Sequence, residues 1–260
     1  RNMNTNNKKA VIIGGSNGIG LAISKKLLDY GYDLEICDIT PPEENILDES
    51  KVKYHYCDLL DFDEELYSKL ADDQNVEVLM ITAGIGRIAD FQFHHIKEID
   101  KILTIDAVST MKIFRIFYDR IMGQETFYAG VMGSIAGLMS SPSASVYAAA
   151  KAAVIRFVES VNIELEEYGS TNRILDVSPA SFKGSKFYGG NNDLSKTIEL
   201  ASEIVKNLFL RRVRFIPNYE ETFQGVLERY YNNPHEYGLH SYQYKLKSGR
   251  LDNNKRVVIG

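Results

Sequence analysis

The stretch Ile13-Gly14-Gly15-Ser16-Asn17-Gly18-Ile19-Gly20 decides the fold of this chain. The apolar, β-branched residues 10–13 before it have the length of a buried strand, and apolar residues at helical spacing follow it. The glycines therefore mark a tight turn from a strand into a helix. Such a turn aims backbone N–H groups and the positive end of a helix at one point, where a phosphate can bind. Glycines after a strand also occur in ordinary turns, so the motif alone leaves both interpretations open.

The glycines of this motif have different predicted roles. Gly14 lets the chain turn, Gly18 lets a ligand approach the backbone, and Gly20 lets the helix pack closely against the strand. We therefore expect the turn to form a phosphate-binding loop of a nucleotide cofactor, with these residues in contact with it: Gly14, Ser16, Asn17, Gly18, Ile19 and Gly20.

Length and composition predict one α/β domain over residues 1–260, which is long enough to bury a sizeable core. A net charge of −5 argues against nucleic acid or an anionic membrane as a partner. No apolar run approaches the roughly 18 residues of a membrane-spanning helix. Cys37 and Cys57 form no C-x-x-C pair and suit a reducing cytoplasm. Residues 1–7 are polar and unpatterned, and we expect them to be disordered.

Strand-like and helix-like segments alternate along the chain, which predicts βαβ units and a parallel sheet. The predicted strands cover residues 10–13, 33–37, 51–56, 76–81, 128–132, 173–177 and 214–217. Helical periodicity reaches from Gly20 to about Tyr30 and covers 95–121, 146–168, 195–210 and 220–231, and either Asp61 or Asp63 caps a further helix. The predicted fold is a single-domain Rossmann fold, a doubly wound parallel sheet with helices on both faces.

An acidic residue, Asp38, ends the second predicted strand about 20 residues after the glycines, where a dinucleotide fold binds a ribose. Its carboxylate can accept hydrogen bonds from both ribose hydroxyls, and it repels a 2′-phosphate. The next residues, Ile39 and Thr40, are uncharged, and the loop contains no arginine or lysine. We therefore predict NAD as the cofactor, with NADP less favoured. A solvated acid at a strand end is the alternative interpretation.

Three further side chains have the pattern of an acid/base site. Tyr147 and Lys151 lie four residues apart near the start of a long predicted helix, so they share a face, and Ser134 follows the neighbouring strand. A phenol has a pKa of about 10 in water, and a nearby ammonium lowers it. Tyr147 can then exchange a proton with an alcohol or carbonyl oxygen to which Ser134 hydrogen-bonds. In isolation, the pair also fits a packed tyrosine and a solvated lysine.

Together these motifs resemble the short-chain dehydrogenase/reductase family over roughly residues 8–190. The glycine turn is similar to the family's phosphate loop, and Tyr147 and Lys151 match its Tyr-x-x-x-Lys. Ser134 stands thirteen residues before Tyr147, which is the family's usual separation. The resemblance implies hydride transfer with a nicotinamide cofactor, and a homodimer or homotetramer built on the long helices.

The resemblance also implies the rest of the cofactor site. Asp58 and Leu59 match the pair that brackets the adenine, and Ala83 and Gly84 match the end of the family's Asn-Asn-Ala-Gly segment. The complete set of implied cofactor contacts outside the glycine loop is Asp38, Ile39, Asp58, Leu59, Ala83, Gly84, Tyr147, Lys151, Pro179 and Phe182.

Several positions depart from the family's pattern. Ile13 replaces a threonine, and Ile81 and Thr82 replace both asparagines of the Asn-Asn-Ala-Gly segment. Residues 179–182 read Pro-Ala-Ser-Phe where the family has Pro-Gly, so the loop on the nicotinamide side is altered. Asp106 falls at an asparagine that is thought to hold a water relaying protons to the lysine. We include Asp106 with Ser134, Tyr147 and Lys151 as a catalytic candidate.

The C-terminal part contains two regions of special composition. Residues 183–212 begin with a glycine-rich, aromatic run that is typical of a substrate lid, although an ordinary loop is equally compatible. The tail 233–260 lacks the family's Asp-Gly-Gly signature and is dense in tyrosine, which suits a pocket wall or a subunit contact. The histidines show no metal-ligand spacing, so we predict no metal site.

The sequence thus predicts an NAD-dependent oxidoreductase that acts on a secondary alcohol or ketone, with Tyr147 as the acid/base; a steroid, a sugar and a small ketone all remain open as the substrate. The competing hypothesis is a non-catalytic dinucleotide sensor or scaffold on the same fold, motivated by Asp106, Ala180 and Thr82. The intact set of Ser134, Tyr147 and Lys151 favours the enzyme, because a sensor has little use for it.

Overall fold

The computed structural model describes residues 7–181 and 192–251, together with the backbone of residues 257–259. The expectations for residues 1–6, for Phe182 and for the glycine-rich run 183–190 lie outside the described residues.

The strands and helices alternate as the sequence predicts. The strands are β1 (Lys9–Ile13), β2 (Asp33–Asp38), β3 (Val52–Tyr56), β4 (Val76–Ile81), β5 (Gly86–Ile88), β6 (Tyr128–Met132), β7 (Ile174–Val177), β8 (Arg214–Phe215) and β9 (Val257–Ile259). The helices are α1 (Gly18–Asp29), α2 (Glu64–Asp72), α3 (Ile96–Leu103), α4 (Ser109–Met122), α5 (Ser145–Glu167), α6 (Leu194–Phe209), α7 (Gln224–Asn232) and α8 (Pro234–Lys247).

The main sheet of the described residues has seven parallel strands in the order β3-β2-β1-β4-β6-β7-β8. The chain runs outward from β1 to β3 and then returns to the other side of β1 to form β4. This reversal makes the gap between β1 and β4 the topological switch point, where ligands of such sheets bind beyond the carboxyl ends of the strands. It places the glycine turn at the centre of that edge.

Alternating side chains of the central strand face two separate cores. Val11 and Ile13 contribute to a core with α2, α4 and α5, whereas Ala10 and Ile12 contribute to a core with α1 and α6. A parallel strand that is buried on both faces needs this continuous apolar sequence. The result is a doubly wound sheet in one domain, which confirms the predicted fold class.

Two helical segments differ in detail from the sequence pattern. Asp63 rather than Asp61 caps α2, because its carboxylate accepts a hydrogen bond from the backbone N–H of Leu66 at 3.0 Å. The periodicity over 95–121 is not one continuous helix, since a π-helical turn, Thr104–Val108, separates α3 from α4. Such single wide turns are frequent at functional sites, and this one carries Asp106.

The C-terminal region contains two elements that the sequence analysis did not predict. The tyrosine-dense segment forms α8, whose first turn is capped by the Asn233 side chain accepting from the backbone N–H of Glu236 at 3.1 Å. A small antiparallel ribbon pairs β5 with β9, which no sequence pattern indicated. None of the helices in the described part of the chain has the length and apolar character needed to cross a membrane.

Candidate active site

The glycine loop is tightly closed against the neighbouring strand end. Gly14 has a φ of +84°, and a methyl group placed on it would lie 2.7 Å from the backbone nitrogen of Ala83. A methyl group on Gly20 would lie 2.0 Å from the carbonyl oxygen of Gly14. The loop therefore needs a left-handed glycine at its start and the absence of a side chain at its end.

Thr82, one of the departures from the family pattern, supports this loop. Its hydroxyl donates to the carbonyl oxygen of Ile13 at 2.8 Å and lies 3.0 Å from that of Gly14. The backbone N–H of Ala83 donates to the same Ile13 oxygen at 3.1 Å. The threonine thus fastens the strand end to the start of the glycine loop.

Asp38 lies at the end of β2 beside the glycine loop. Its carboxylate accepts hydrogen bonds from the backbone N–H groups of Ser16 at 3.1 Å and Ile39 at 2.7 Å. Burial raises the pKa of Asp38, and these N–H groups act in the opposite direction. Each carboxylate oxygen has a second lone pair, so Asp38 can still accept from the hydroxyls of a ribose.

The third strand end completes this side of the site. The backbone N–H of Cys57 donates to the Asp38 carbonyl at 2.9 Å, which places Asp58 and the buried Leu59 beside Asp38. Ile39 is largely exposed at the rim. The structure thus brings the predicted cofactor residues of β1, β2, β3 and β4 to one edge of the sheet.

Asn192 also lies at the glycine loop, although the sequence analysis did not identify it. Its Oδ1 accepts a hydrogen bond from the backbone N–H of Gly18 at 2.8 Å, and its Nδ2 donates to Asn17 Oδ1 at 3.1 Å. An oxygen on the first N–H of α1 has the position that a phosphate oxygen takes at such a turn. The polar residues before α6 resemble a helix cap, and no local signal shows that one of them contacts a loop 174 residues earlier.

Ser134 is buried just after the end of β6, and Lys151 is buried in the first turns of α5. Lys151 Nζ donates to the Met132 carbonyl oxygen at 2.9 Å and lies 5.7 Å from the centre of the half-buried Tyr147 ring. Ser134 Oγ accepts from the backbone N–H of Ala136 at 3.1 Å, which leaves its hydroxyl proton available for another acceptor. The structure therefore places Lys151 beside the Tyr147 ring and binds it to the end of β6, two residues before Ser134.

Pro179 lies next to Ser134 at the end of β7. Its carbonyl oxygen accepts a hydrogen bond from the backbone N–H of Ile135 at 3.1 Å. The predicted nicotinamide-side residue is thus adjacent to the predicted acid/base group, while its partner Phe182 falls outside the described residues.

Two glycines after β4 allow the backbone to contact this group. A methyl group on Gly84 would lie 3.2 Å from Lys151 Nζ and 3.5 Å from Asp106 Oδ1, and one on Gly86 would lie 3.0 Å from Cδ2 of Tyr147. Gly84 was identified from the sequence, whereas Gly86 was not. Any side chain at either position would displace the groups that surround the tyrosine.

Asp106 is 1% exposed and lies beside Lys151. Its Oδ1 accepts a hydrogen bond from the backbone N–H of Ile85 at 2.7 Å, and its Oδ2 has no partner among the described residues. Burial raises its pKa to about 6, while the Lys151 charge and the Ile85 N–H oppose that shift. Asp106 therefore carries a negative charge at neutral pH, close to the ammonium of the candidate acid/base group.

The combined geometry fits a dinucleotide lying across the sheet edge. The glycine cradle, which a single methyl group on Gly20 would fill, suits the phosphates, and the Asp38 carboxylate suits a ribose. The group formed by Ser134, Tyr147 and Lys151 lies at the other end of the same edge. Within the described residues, histidine, cysteine and acidic side chains form no cluster that could hold a metal ion.

Comparison with known proteins gives matches over the same part of the chain. A family model described as short chain dehydrogenase matches residues 8–188. An uncharacterized oxidoreductase of Saccharomyces cerevisiae, TDA5, is 30% identical over 186 residues, which are 69% of this chain and 56% of that protein. Dehydrogenase RED2 of Cochliobolus heterostrophus is 27% identical over 169 residues, 63% of each chain. The chain spans between half and two thirds of the length of the curated relatives it matches.

Solved structures show the same fold. An alcohol dehydrogenase from the archaeon Thermococcus sibiricus, complexed with 5-hydroxy-NADP, has a TM-score of 0.69 and 22% identity, covering 80% of this chain and 95% of that one. A short chain dehydrogenase/reductase from Burkholderia phymatum, in complex with NAD, has a TM-score of 0.71 and 18% identity, covering 87% and 94%. Because one of them holds an NADP derivative and the other NAD, fold similarity leaves the choice of cofactor to the residues of this chain.

Proposed function

The chain belongs to the short-chain dehydrogenase/reductase family, and on this premise we propose that it is an NAD-dependent oxidoreductase acting on a secondary alcohol or ketone. The observation that carries the proposal is the placement of Ser134, Tyr147 and Lys151 at the edge of the sheet that also bears the glycine loop. If Tyr147 were only a packed side chain and Lys151 only a solvated charge, Lys151 would not be buried beside the tyrosine ring as it is here.

In this proposal each residue of the group has one task. Tyr147 accepts the hydroxyl proton of the alcohol, and Ser134 donates a hydrogen bond to the same oxygen. Lys151, held by the Met132 carbonyl oxygen, favours the phenolate through its charge and binds the cofactor ribose. When bound, NAD supplies the acceptor for hydride from the carbinol carbon. In the reverse direction Tyr147 returns the proton to the oxygen of the ketone.

The choice of NAD over NADP rests on Asp38. Its carboxylate is held at the loop by the N–H groups of Ser16 and Ile39, where the adenosine ribose of a dinucleotide binds. A 2′-phosphate would meet this negative charge, and no arginine fork stands among residues 13–20 or 38–40 to compensate.

Two further expectations follow from the exposed and buried surfaces. Ile163 of α5 and Tyr168, which directly follows that helix, have exposed apolar side chains, and we propose that the long helices carry a homodimer or homotetramer contact. Cys37 and Cys57 are both buried and form no disulfide, and we propose that the protein works in the reducing cytoplasm.

The test is turnover of the purified protein with NAD and a panel of secondary alcohols, followed by the absorbance of the reduced nicotinamide. We expect the native protein to show it and Tyr147→Phe to lose it by roughly 100-fold to 10,000-fold, the range for a positioned acid/base. A fully active Tyr147→Phe would contradict the mechanism. Tight NAD binding without turnover on any member of the panel would favour the sensor instead.

A further inference from the structure

The two cysteines of the chain lie together at the ends of two neighbouring strands. Cys37 of β2 is paired across the sheet with His55 of β3, and Cys57 follows His55 by two residues, so both cysteine side chains share one face. The backbone N–H of Cys57 donates to the Asp38 carbonyl oxygen at 2.9 Å, which continues the pairing past the end of β3. Both side chains are buried in the same core.

The two thiols also hydrogen-bond to each other, and they hold their protons unequally. The bond from Cys37 lowers the pKa of Cys57, burial opposes this shift, and the Tyr67 hydroxyl supports it. The bond to Cys57 and burial both raise the pKa of Cys37. Burial raises the pKa of Tyr67 as well, so its hydroxyl keeps its proton and can donate it to sulfur. Cys57 is therefore the sulfur that becomes a thiolate, and Cys37 stays a thiol beside it.

An unequal pair of this kind provides both groups that disulfide formation needs. A thiolate attacks a peroxide, and a neighbouring thiol condenses with the sulfenic acid that results. The chain around Cys57 lies at the surface, since Tyr56 is 67% and Leu60 48% exposed, and β3 is an edge strand of the main sheet. A small oxidant thus reaches Cys57 when only this strand end moves.

We propose that Cys57 and Cys37 form a reversible disulfide with hydrogen peroxide as the oxidant, and that this modification weakens cofactor binding. The Cys57 sulfur attacks one peroxide oxygen, so that an S–O bond forms, the O–O bond breaks and one water leaves. The Cys37 sulfur then attacks the Cys57 sulfur, the S–S bond forms, and the hydroxyl leaves with the Cys37 proton as a second water. The two thiols are oxidised by two electrons, and the peroxide is reduced to water.

The link to cofactor binding is the position of the two cysteines in the chain. Asp38 directly follows Cys37 and Asp58 directly follows Cys57, and both acids belong to the proposed adenosine side. Diagonal neighbours on adjacent strands have Cα atoms roughly 7–8 Å apart, whereas a disulfide joins Cα atoms at most about 6.8 Å apart. Closure therefore draws the strand ends together and shifts the Asp38 carboxylate, which accepts from the Ser16 N–H. Only this effect on NAD rests on the function proposed above.

The first test identifies the disulfide in the native protein. The purified protein is treated with hydrogen peroxide, free thiols are blocked with iodoacetamide, and trypsin cleavage after Lys51 or Lys53 separates the two cysteines for mass spectrometry. We expect the Cys37 and Cys57 peptides to be joined with the loss of two hydrogen atoms, and dithiothreitol to restore both thiols. Two unmodified thiols, sulfinic acids on separate peptides or a disulfide between two copies of the chain would overturn the proposal.

The second test measures the dissociation constant for NAD by calorimetric titration before and after the peroxide treatment. We expect the disulfide to raise this constant roughly tenfold, as the loss of one hydrogen bond to a charged group would, and dithiothreitol to reverse the change. An unchanged dissociation constant in the disulfide form would overturn the effect on the cofactor site.

The matched control for the second test is Cys57→Ala. This variant contains the same six methionines as the native protein and cannot form the disulfide, so peroxide should leave its NAD affinity unchanged. Cys37→Ala is a second control that retains the Cys57 sulfur. A peroxide effect on NAD binding that is as large in both variants as in the native protein would overturn the assignment to the cysteine pair. If the reduced native protein binds no NAD, the proposed function fails, whereas the peptide analysis still decides whether the disulfide forms.

Discussion

The two ends of the site are built in different ways. At the proposed cofactor end, one short turn supplies several backbone N–H groups, and Asp38 of the next strand accepts a hydrogen bond from one of them, that of Ser16. At the outer end, where α8 contacts the segment after β5 and the segment before α5, side chains far apart in sequence meet. Tyr242 and Asp90, for example, are 152 residues apart. The first arrangement is a property of a local sequence pattern, and the second is a property of the folded chain. A single substitution should therefore have a larger effect at the cofactor end, where one group supports several others.

Two buried carboxylates, Asp38 and Asp106, also differ in how their oxygens are hydrogen-bonded. Burial raises the pKa of both. Asp38 has a backbone N–H on each oxygen, whereas Asp106 has one on Oδ1 and none on Oδ2. We infer that Asp38 is held as a binding group and that Asp106 is a group whose ionisation affects its neighbours.

The largest effect on cofactor binding is expected for Gly20→Ala in the glycine loop. The added methyl group would lie 2.0 Å from the Gly14 carbonyl oxygen, so the loop must move. We expect the dissociation constant for NAD to rise by at least about 100-fold, since several phosphate hydrogen bonds are lost together. Calorimetric titration measures it. The matched control is Gly225→Ala on α7, where the methyl group meets only the Arg229 side chain at 3.7 Å, and NAD affinity should be unchanged.

Next in size is the loss of cofactor discrimination in Asp38→Ala. We expect the native protein to prefer NAD over NADP by roughly tenfold or more, because a hydrogen bond to a charged group contributes about 1.5–3 kcal/mol. The variant should bind both cofactors with similar, weaker affinity. Dissociation constants for both cofactors in both proteins decide the matter, and a native preference for NADP would show that Asp38 does not bind the ribose.

A smaller effect is expected for Asn192→Ala, and here cofactor binding should become tighter rather than weaker. Its amide oxygen accepts the hydrogen bond of the Gly18 N–H, which in the proposed site would be donated to a phosphate oxygen of the cofactor. Removing this competing hydrogen bond should tighten NAD and ADP binding by about 2-fold to 10-fold. Adenosine, which lacks a phosphate, should bind the native protein and the variant equally. Weaker ADP binding in Asn192→Ala would instead make Asn192 a ligand of the phosphate.

The smallest effects on turnover belong to Asp106→Asn, and they depend on pH. Removing one negative charge near Lys151 favours the phenolate of Tyr147, so the limb of the pH–rate profile that reports Tyr147 should move to lower pH. An unchanged profile would place Asp106 outside the proton relay.

The stability of Asp106→Asn should also differ from the native protein in a defined pH range. The folded protein holds the Asp106 proton more tightly than the unfolded chain, because the pKa rises from 3.8 to about 6. Protonated Asp106 therefore stabilises the folded state fully below about pH 4, and this stabilisation is lost as the pH rises through 6. The free energy of unfolding changes by about 3 kcal/mol over this range. Denaturant unfolding between pH 4 and 7 should show this slope in the native protein and a weaker slope in the variant.

The sequence predicted the strand–turn–helix arrangement that carries the proposed cofactor site, because its determinants are local. Residues 13–20, Asp38 and the Tyr147–Lys151 pair follow from spacing, and the structure has the strands and helices that the spacing requires. Contacts between segments that are distant in sequence were not predictable in this way. The π-helical turn at Asp106, the contact of Asn192 with Gly18 and the attachment of α8 depend on packing between distant segments. No periodicity over a short window contains that information.

Tyr147→Phe tests the central claim most directly, that the glycine loop and Asp38 bind the cofactor while Tyr147 exchanges the proton. Turnover and the dissociation constant for NAD should both be measured on this variant and compared with the native protein. The account predicts that turnover falls by roughly 100-fold to 10,000-fold, while NAD binding weakens by no more than about tenfold, the effect of one lost hydrogen bond. Retained turnover, or a loss of NAD binding as large as the loss of turnover, would contradict it.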